Sequence, residues 1–273
     1  MQPQVRPFFH APSNTYTYVV SDPVTRVAAV IDPCLDFDAK SGRTGVDSVS
    51  AVLDYLRSED LQLRWILETH AHADHLSAGR WLKARQPQAA LAIGRGIREV
   101  QQTFKSVFNL GDGFATDGSQ FDQLFTDGEH FAIGELDAEV LATPGHTNDS
   151  VSYLIGDALF VGDTLFMPDS GSARADFPGG DARTLYRSSK RVLQLPDETR
   201  LFMCHDYGAG GDRDIRWETT VGEERAHNIH LKDGTSEDEF VEMREARDAT
   251  LAMPRLIVPS LQVNMRAGRV PTD

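Results

Sequence analysis

The strongest constraint on this chain is a cluster of potential metal ligands at residues 69–75, which read Thr-His-Ala-His-Ala-Asp-His. The four potential ligands are His70, His72, Asp74 and His75. A strand-like run at residues 63–69 precedes the cluster and a helix-like segment at residues 76–85 follows it, so the cluster lies at a strand end. Imidazole and carboxylate groups together suit zinc, iron or manganese. Histidines in a solvated loop would give the same pattern, so this segment by itself leaves both interpretations open.

Three later positions supply further potential ligands. A Gly-His-Thr motif contains His146, a Gly-Asp-Thr motif contains Asp163, and His205 ends the run that begins at Leu201. Each follows a strand-like run, so each is placed to deliver one ligand from a strand end to the same edge of the sheets. The ordered combination is much more specific than any single motif, and it predicts a metal centre.

The apolar pattern predicts two α/β halves. Strand-like runs lie at residues 15–20, 27–31, 63–69, 136–142, 151–155, 158–161 and 200–204. Apolar residues recur at helical spacing between residues 46 and 56, and a helical segment lies near residues 182–193. This pattern indicates sheets sandwiched between helices.

From about Gly222 the chain becomes charged and helical, with Ser236 and Glu239 placed to cap a helix start. We expect residues 1–221 to form the main domain and residues 222–273 to form an extension packed on it.

Composition limits the partners. The 273 residues provide enough apolar material for one large core. The net charge of -14, from 27 basic and 41 acidic residues, disfavours nucleic acids and anionic membranes. No apolar run approaches the ~20 residues of a membrane span and the N-terminus has no signal-peptide pattern, so we expect a cytoplasmic location. The two cysteines, Cys34 and Cys204, form no CxxC pair and are expected to be reduced thiols.

The ordered ligand motifs resemble those of the metallo-β-lactamase superfamily, from about residue 9 to residue 207. This resemblance implies an α/β fold of the αββα sandwich type. Within the superfamily, residues 163–177 and the Cys-His-Asp-Tyr segment at 204–207 are most similar to persulfide dioxygenases, including bacterial β-lactamase-like hydrolases. Similar segments at residues 15–18, 31–33, 184–186 and 263–268 extend the resemblance over nearly the whole chain.

The resemblance implies one Fe(II) per chain, held by His70, His146 and Asp163. Two histidines and one carboxylate on one face leave open positions for substrate and oxygen. Four other residues would then hydrogen-bond and orient the ligands or bound water. These are His72, Asp74, His75 and His205. The family also implies a homodimer.

Arg174 and Tyr207 are the candidates for contact with the substrate and for a role in catalysis. A guanidinium forms paired hydrogen bonds with a carboxylate and would attract anionic glutathione persulfide to an acidic protein. The alternative for Arg174 is a salt bridge with Asp176, Asp169 or another nearby acid. Tyr207 matches a family tyrosine whose hydroxyl reaches the substrate, and its alternative is a packed aromatic ring.

The resemblance therefore predicts a persulfide dioxygenase that converts glutathione persulfide, O2 and water to glutathione and sulfite. The alternative is a thioester hydrolase of the glyoxalase II type, in which two metal ions lower the pKa of a bridging water. All seven ligands for that arrangement are present. A third interpretation, a structural or sensing centre, conflicts with open coordination positions, because structural sites tend to be closed.

Overall fold

Two six-stranded β-sheets form the centre of the protein in the computed structural model, which describes residues 2–271. The first sheet contains β1 (Gln4–His10), β2 (Thr15–Ser21), β3 (Val27–Ile31), β6 (Gln62–Leu67), β8 (Ala90–Gly94) and β9 (Gln123–Phe125), hydrogen-bonded in that order. The second contains β10 (His130–Ile133), β11 (Leu136–Ala142), β12 (Val151–Ile155), β13 (Ala158–Phe160), β14 (Arg200–Phe202) and β15 (Glu218–Thr220), also in chain order. A small third sheet, with β4 at its centre, contains β4 (Cys34–Asp38), β5 (Arg43–Gly45) and β7 (Leu76–Ser77).

Helices cover both outer faces of the sandwich. They are α1 (Asp47–Ser58), α2 (Gly79–Arg85), α3 (Ile97–Val107), α4 (Ala182–Val192), α5 (Val221–His227), α6 (Glu237–Asp248) and α7 (Ile257–Asn264). A short 3-10 turn lies at Gly208–Gly211. No helix within residues 2–271 has the length and apolar character needed to cross a membrane.

The layering follows from strand periodicity, since successive side chains point to opposite faces of a sheet. In β2, Val19 packs in the cluster beneath α1, α2 and α3, whereas Tyr18 and Val20 face the second sheet. Between the sheets, the Phe160 and Phe202 rings stack with centroids 4.9 Å apart. The outer face of the second sheet packs on α4 and α6. Two sheets between two helix layers confirm the predicted αββα sandwich.

Several predicted elements begin or end elsewhere in the structure. Five strands precede α1, whereas the sequence indicated only two strand-like runs before the first helical segment. The helix predicted for residues 76–85 begins only at Gly79, because Leu76 and Ser77 pair with β4. The strands predicted for 63–69 and 200–204 end at Leu67 and Phe202. Residues beyond those ends leave the sheets and carry the ligand motifs.

Residues 222–271 pack on both helix layers. Phe240 of α6 is buried in the same cluster as Leu185 of α4, and α6 begins with the predicted Ser236 and Glu239 capping box. Farther along, Leu261 of α7 joins the cluster on the first sheet. The end of the chain therefore crosses from one side of the sandwich to the other and passes the edge where the ligand motifs lie.

Candidate metal centre

Four strand ends bring the predicted ligands to one edge of the sandwich. The segment after β6 carries His70, the turn after β11 carries His146, the turn after β13 carries Asp163, and the segment after β14 carries His205. His205 is held by a bridge to Thr15 at the start of β2. Ligands separated by up to 135 residues in sequence (205 − 70) therefore share one site.

Two imidazoles and one carboxylate form the first ligand group. Ligand atoms of His70, His146 and Asp163 all lie within 4.8 Å of one another. The Nε2 atoms of His70 and His146 are 3.8 and 3.5 Å from Asp163 Oδ2. The structure thus brings together the three residues that the resemblance assigned to iron.

The second group contains three imidazoles and one carboxylate, and its ligand atoms also lie within 4.8 Å of one another. Its members are His72, Asp74, His75 and His205. Asp163 lies between the two groups, because its Oδ1 atom is 3.3 Å from His205 Nε2. Cys204 is close to both Asp163 and His205, so it adds a thiol to the surroundings of this group.

Unpaired polar atoms show that the site suits a cation. His70 Nε2, His72 Nδ1 and His75 Nε2 are buried and have no hydrogen-bond partner among residues 2–271. Leaving such atoms unpaired is costly unless another group satisfies them. Burial and then the adjacent His72 lower the pKa of His70 well below its ordinary value. A neutral imidazole is the form that coordinates a metal, so the donor set fits a bound metal ion.

The surrounding backbone fixes the ligand orientations. His146 Nδ1 lies 2.7 Å from the carbonyl oxygen of Arg174, and since a carbonyl only accepts, this nitrogen donates. The proton on Nδ1 leaves the Nε2 lone pair directed at Asp163, as metal-binding histidines require. Asp32 accepts hydrogen bonds from the Thr69 amide (2.8 Å) and hydroxyl (2.9 Å), which anchors the residue before His70.

Asn264, at the end of α7, secures the ligand loop from the other end of the chain. Its amide group donates to the carbonyl oxygens of His72 and His75, both at 2.8 Å, and accepts from the Ser77 amide at 2.7 Å. Asp149 provides a second brace by accepting from the Ala71 amide at 2.7 Å. Asp32 and Asn264 lie in segments that are similar to the family, but the sequence did not indicate which groups they contact.

Gly145 allows the tight turn that presents His146. Its φ of +132° is strained for residues with side chains, and a Cβ here would lie 2.3 Å from the Leu185 amide nitrogen. The glycine of the Gly-His-Thr motif is therefore required by the close approach of α4.

A cavity of about 800 Å³ opens over the first ligand group. His146, Asp163 and His205 line its floor, and Phe166 and Phe177 contribute apolar walls. The C-terminal segment forms another wall of the cavity, the arginine wall, which contains three arginines. The sequence did not indicate them, because only the fold brings them to the cavity. These are Arg244, Arg247 and Arg255.

Both predicted substrate residues line this cavity, but their partners differ. Arg174 forms a paired ion bridge with Asp176, at 2.6 and 2.7 Å, and donates to the Ala252 carbonyl. The alternative partner Asp169 binds Arg213 instead. Tyr207 is half-exposed and its ring lies parallel to that of His205, with centroids 6.2 Å apart. Arg174 therefore forms the salt bridge with Asp176 that the alternative interpretation predicted, and it also lines the cavity.

The family assignment agrees with this geometry. The family model of the metallo-beta-lactamase superfamily matches residues 11–205, and the chain belongs to that superfamily. Its fold and its His/Asp site support an enzyme with a metal centre.

Named relatives differ in the activity that their names describe. A beta-lactamase hydrolase-like protein of Agrobacterium fabrum is 53% identical over 269 residues, which is 98% of this chain but 62% of that protein's length. Glyoxylase B2 of Dictyostelium discoideum is 48% identical over 95% of this chain and 89% of its own length. The mitochondrial persulfide dioxygenase ETHE1 of Homo sapiens is 29% identical over 97% of this chain and 88% of its own length.

Among solved structures, ETHE1 from Myxococcus xanthus is 34% identical and superposes with a TM-score of 0.77. The match covers 97% of this chain and 100% of that one.

Proposed function

We propose that this chain is a persulfide dioxygenase that uses one Fe(II) and O2 to oxidise glutathione persulfide to sulfite and glutathione. The observation that carries this proposal is the composition of the first ligand group. His72 belongs to the other group and its Nε2 lies 3.0 Å from Asp32 Oδ1, so within the part of the chain that the structure describes, two imidazoles and one carboxylate meet at His70, His146 and Asp163. This is the donor set of non-heme Fe(II) oxygenases. The likeness to ETHE1 proteins supports the same conclusion.

Fe(II), when held by these three residues, supplies the redox chemistry that activates O2 beside a sulfur ligand. The chain's own side chains provide orientation and charge. Arg174, Arg247 and Arg255 line the cavity and attract an anionic thiol derivative, against the acidic charge of the whole protein, whereas Arg244 is buried in an ion pair with Asp248. Phe166 and Phe177 exclude water from one side of the cavity.

The proposal assigns Tyr207 a contact with the substrate, because it lines the same cavity as His146 and Asp163. Its ring packs against His205 and Phe166, with centroids 6.2 Å away in each case, which sets the direction of the phenol. Its hydroxyl donates to the bound persulfide in this proposal. Since the carbonyl of Arg174 holds His146, the loop that supplies the arginine also orients a metal ligand.

The second ligand group favours one competing function, a dinuclear thioester hydrolase. His72, Asp74, His75 and His205 are close enough together to hold a second ion, and Asp163 lies between the groups. Two metals would lower the pKa of a bridging water and supply hydroxide near neutral pH. The name of the Dictyostelium relative is in keeping with this alternative.

Metal counting combined with two activity assays tests the proposal. The chain is purified without oxygen, its metals are counted, and oxygen uptake is followed on addition of glutathione persulfide. We expect one iron per chain and oxygen uptake matched by sulfite formation. Two zinc ions per chain, hydrolysis of a glutathione thioester and no oxygen uptake would establish the hydrolase instead. His130→Gln is a suitable control, because His130 is exposed and pairs with Asp137 in the β10–β11 hairpin.

A further inference from the structure

Two segments at the edge of the metal-centre cavity are joined through one side chain, that of Arg213. Its guanidinium donates to both carboxylate oxygens of Asp169, at 2.6 and 2.7 Å, and to both of Asp206, at 2.6 and 2.9 Å. Asp169 lines the cavity on the loop after β13. Asp206 lies between His205 and Tyr207, which both line the cavity. A single guanidinium therefore connects two cavity segments that are distant in sequence.

Asp206 organises the turn that follows it in the chain. Its side chain is fully buried and also accepts from the Arg216 amide at 2.7 Å and the Gly208 amide at 3.4 Å. Within this turn Ala209 has a φ of +51°, which is unfavourable for a residue with a side chain. A Cβ at Gly208 would lie 2.6 Å from the Arg213 carbonyl oxygen, so the turn folds back closely on itself. The shape of the turn thus depends on a buried carboxylate that Arg213 neutralises.

The same contacts set the positions of two aromatic rings. Phe166 is on the loop that carries Asp169, and Tyr207 directly follows Asp206. The two rings meet edge to face, with centroids 6.2 Å apart and an angle of 83° between their planes, and both line the cavity. Arg213 is not among the lining residues within the described range 2–271. It therefore acts on a bound molecule through its neighbours.

Charge gives these ion pairs a second effect. Asp169 lies at the edge of a cavity that is proposed to admit an anion. Hydrogen bonding from Arg213 lowers the pKa of Asp169, so this carboxylate is ionised near neutral pH and the guanidinium offsets its charge. Without Arg213, one unpaired carboxylate would face the cavity and another would be buried, which is costly. An anionic substrate would then be repelled at the entrance.

We propose that Arg213 is a positioning residue for substrate binding. It holds Tyr207 opposite Phe166, and it cancels carboxylate charge that would otherwise repel an anionic substrate. This inference rests on the proposed function only for the identity of the anion, because a glutathione thioester is also anionic and would enter the same cavity.

Two substitutions separate the two effects. Arg213→Gln removes the charge, whereas Arg213→Lys keeps it but cannot pair with both carboxylates through a planar set of donors. We expect Arg213→Gln to raise KM about tenfold, the size expected when a like charge near the substrate is left uncompensated. This rise should shrink as salt is added, because salt screens the repulsion. Its kcat/KM should fall by up to about 100-fold, the order reached when a reacting group is misplaced by ~1 Å. Arg213→Lys should restore most of KM but little of kcat.

Arg225→Gln is the matched control. Arg225 also bridges two carboxylates, those of Asp197 and Asp233, but it lies on α5 and is not among the cavity-lining residues of the described chain. Its KM and kcat should stay near those of the unmodified chain at every salt concentration.

A second measurement does not depend on turnover. In the metal-loaded protein, hydrogen exchange at the amides of Gly208 and Arg216 should be faster in Arg213→Gln than in the unmodified chain, and unchanged in Arg225→Gln. Unchanged exchange at these amides, or a lower Tm with KM and kcat unchanged in the folded protein, would overturn the proposal. If Arg213→Gln fails to fold, Arg213→Lys decides, because unmodified kcat and exchange in that variant would also overturn it. If the chain hydrolyses a glutathione thioester and oxidises no persulfide, the same variants assayed on that reaction decide the role of Arg213 separately from the proposed function.

Discussion

Asn264 is predicted to stabilise the ligand loop and the metal centre together. Its side chain makes three buried hydrogen bonds to backbone groups of His72, His75 and Ser77, at distances of 2.7–2.8 Å. Asn264→Ala would leave two carbonyls and one amide without partners. Each such group costs roughly 1–3 kcal/mol when it stays buried and unpaired. For the three groups together we therefore expect a loss of about 3–9 kcal/mol in the free energy of unfolding.

This loss corresponds to a fall in Tm of roughly 6 °C or more for a chain of this size. Asn264→Asp should be at least as damaging, because it keeps the acceptor for Ser77 but directs a carboxylate at two carbonyl oxygens. Since the loop carries four potential ligands, metal affinity should also fall, by about 10–100-fold as for other groups that orient ligands. The two losses have the same cause and should appear together.

Thermal unfolding of the metal-free and metal-loaded forms, followed by a metal count, measures both effects. Gln262→Ala is the matched control on the same helix, because the Gln262 side chain donates to the Val258 carbonyl one turn earlier and does not reach the ligand loop through any hydrogen bond among residues 2–271. Its free energy of unfolding should change by no more than about 0.5 kcal/mol. If Asn264→Ala melts like the control and retains its metal, the backbone of the loop does not depend on α7 and the reasoning is wrong.

Three further predictions concern the site and its surroundings. Asp163→Ala should abolish iron binding and turnover. His72→Ala should retain much of the iron, while turnover falls by about 10–100-fold. Equal iron loss in both variants would contradict the assigned roles. Arg174→Ala should raise KM about ten- to a hundredfold with normal iron content, as expected for ~1.5–3 kcal/mol of charge-assisted hydrogen bonding. Arg174→Lys should recover only part of the lost affinity. A lower Tm with unchanged KM would leave the ion pair with Asp176 as the only role of Arg174. Burial raises the pKa of Glu224 to about 8, above its value in the unfolded chain. The free energy of unfolding should therefore fall as pH rises from about 4.5 to 8. Glu224→Gln should flatten this slope in urea unfolding measured across that range.

The sequence alone was sufficient to predict the fold class and that the candidate ligand residues lie together at one edge. Both depend on local signals: apolar, aromatic and β-branched runs mark the strands, and each ligand motif follows such a run. Because strand ends meet at one edge of a sandwich, His70, His146, Asp163 and His205 had to converge once the strands were recognised. The capped start of α6 was predicted for the same reason, since its signal lies within four residues.

Tertiary structure alone decided which groups support those ligands. Asn264 contacts the loop at His72 across 192 positions of sequence, and Arg244 and Arg247 reach the cavity only because α6 packs on α4. Hydrogen bonds between distant segments leave no periodicity or spacing in the sequence, because their geometry is set by how whole elements pack.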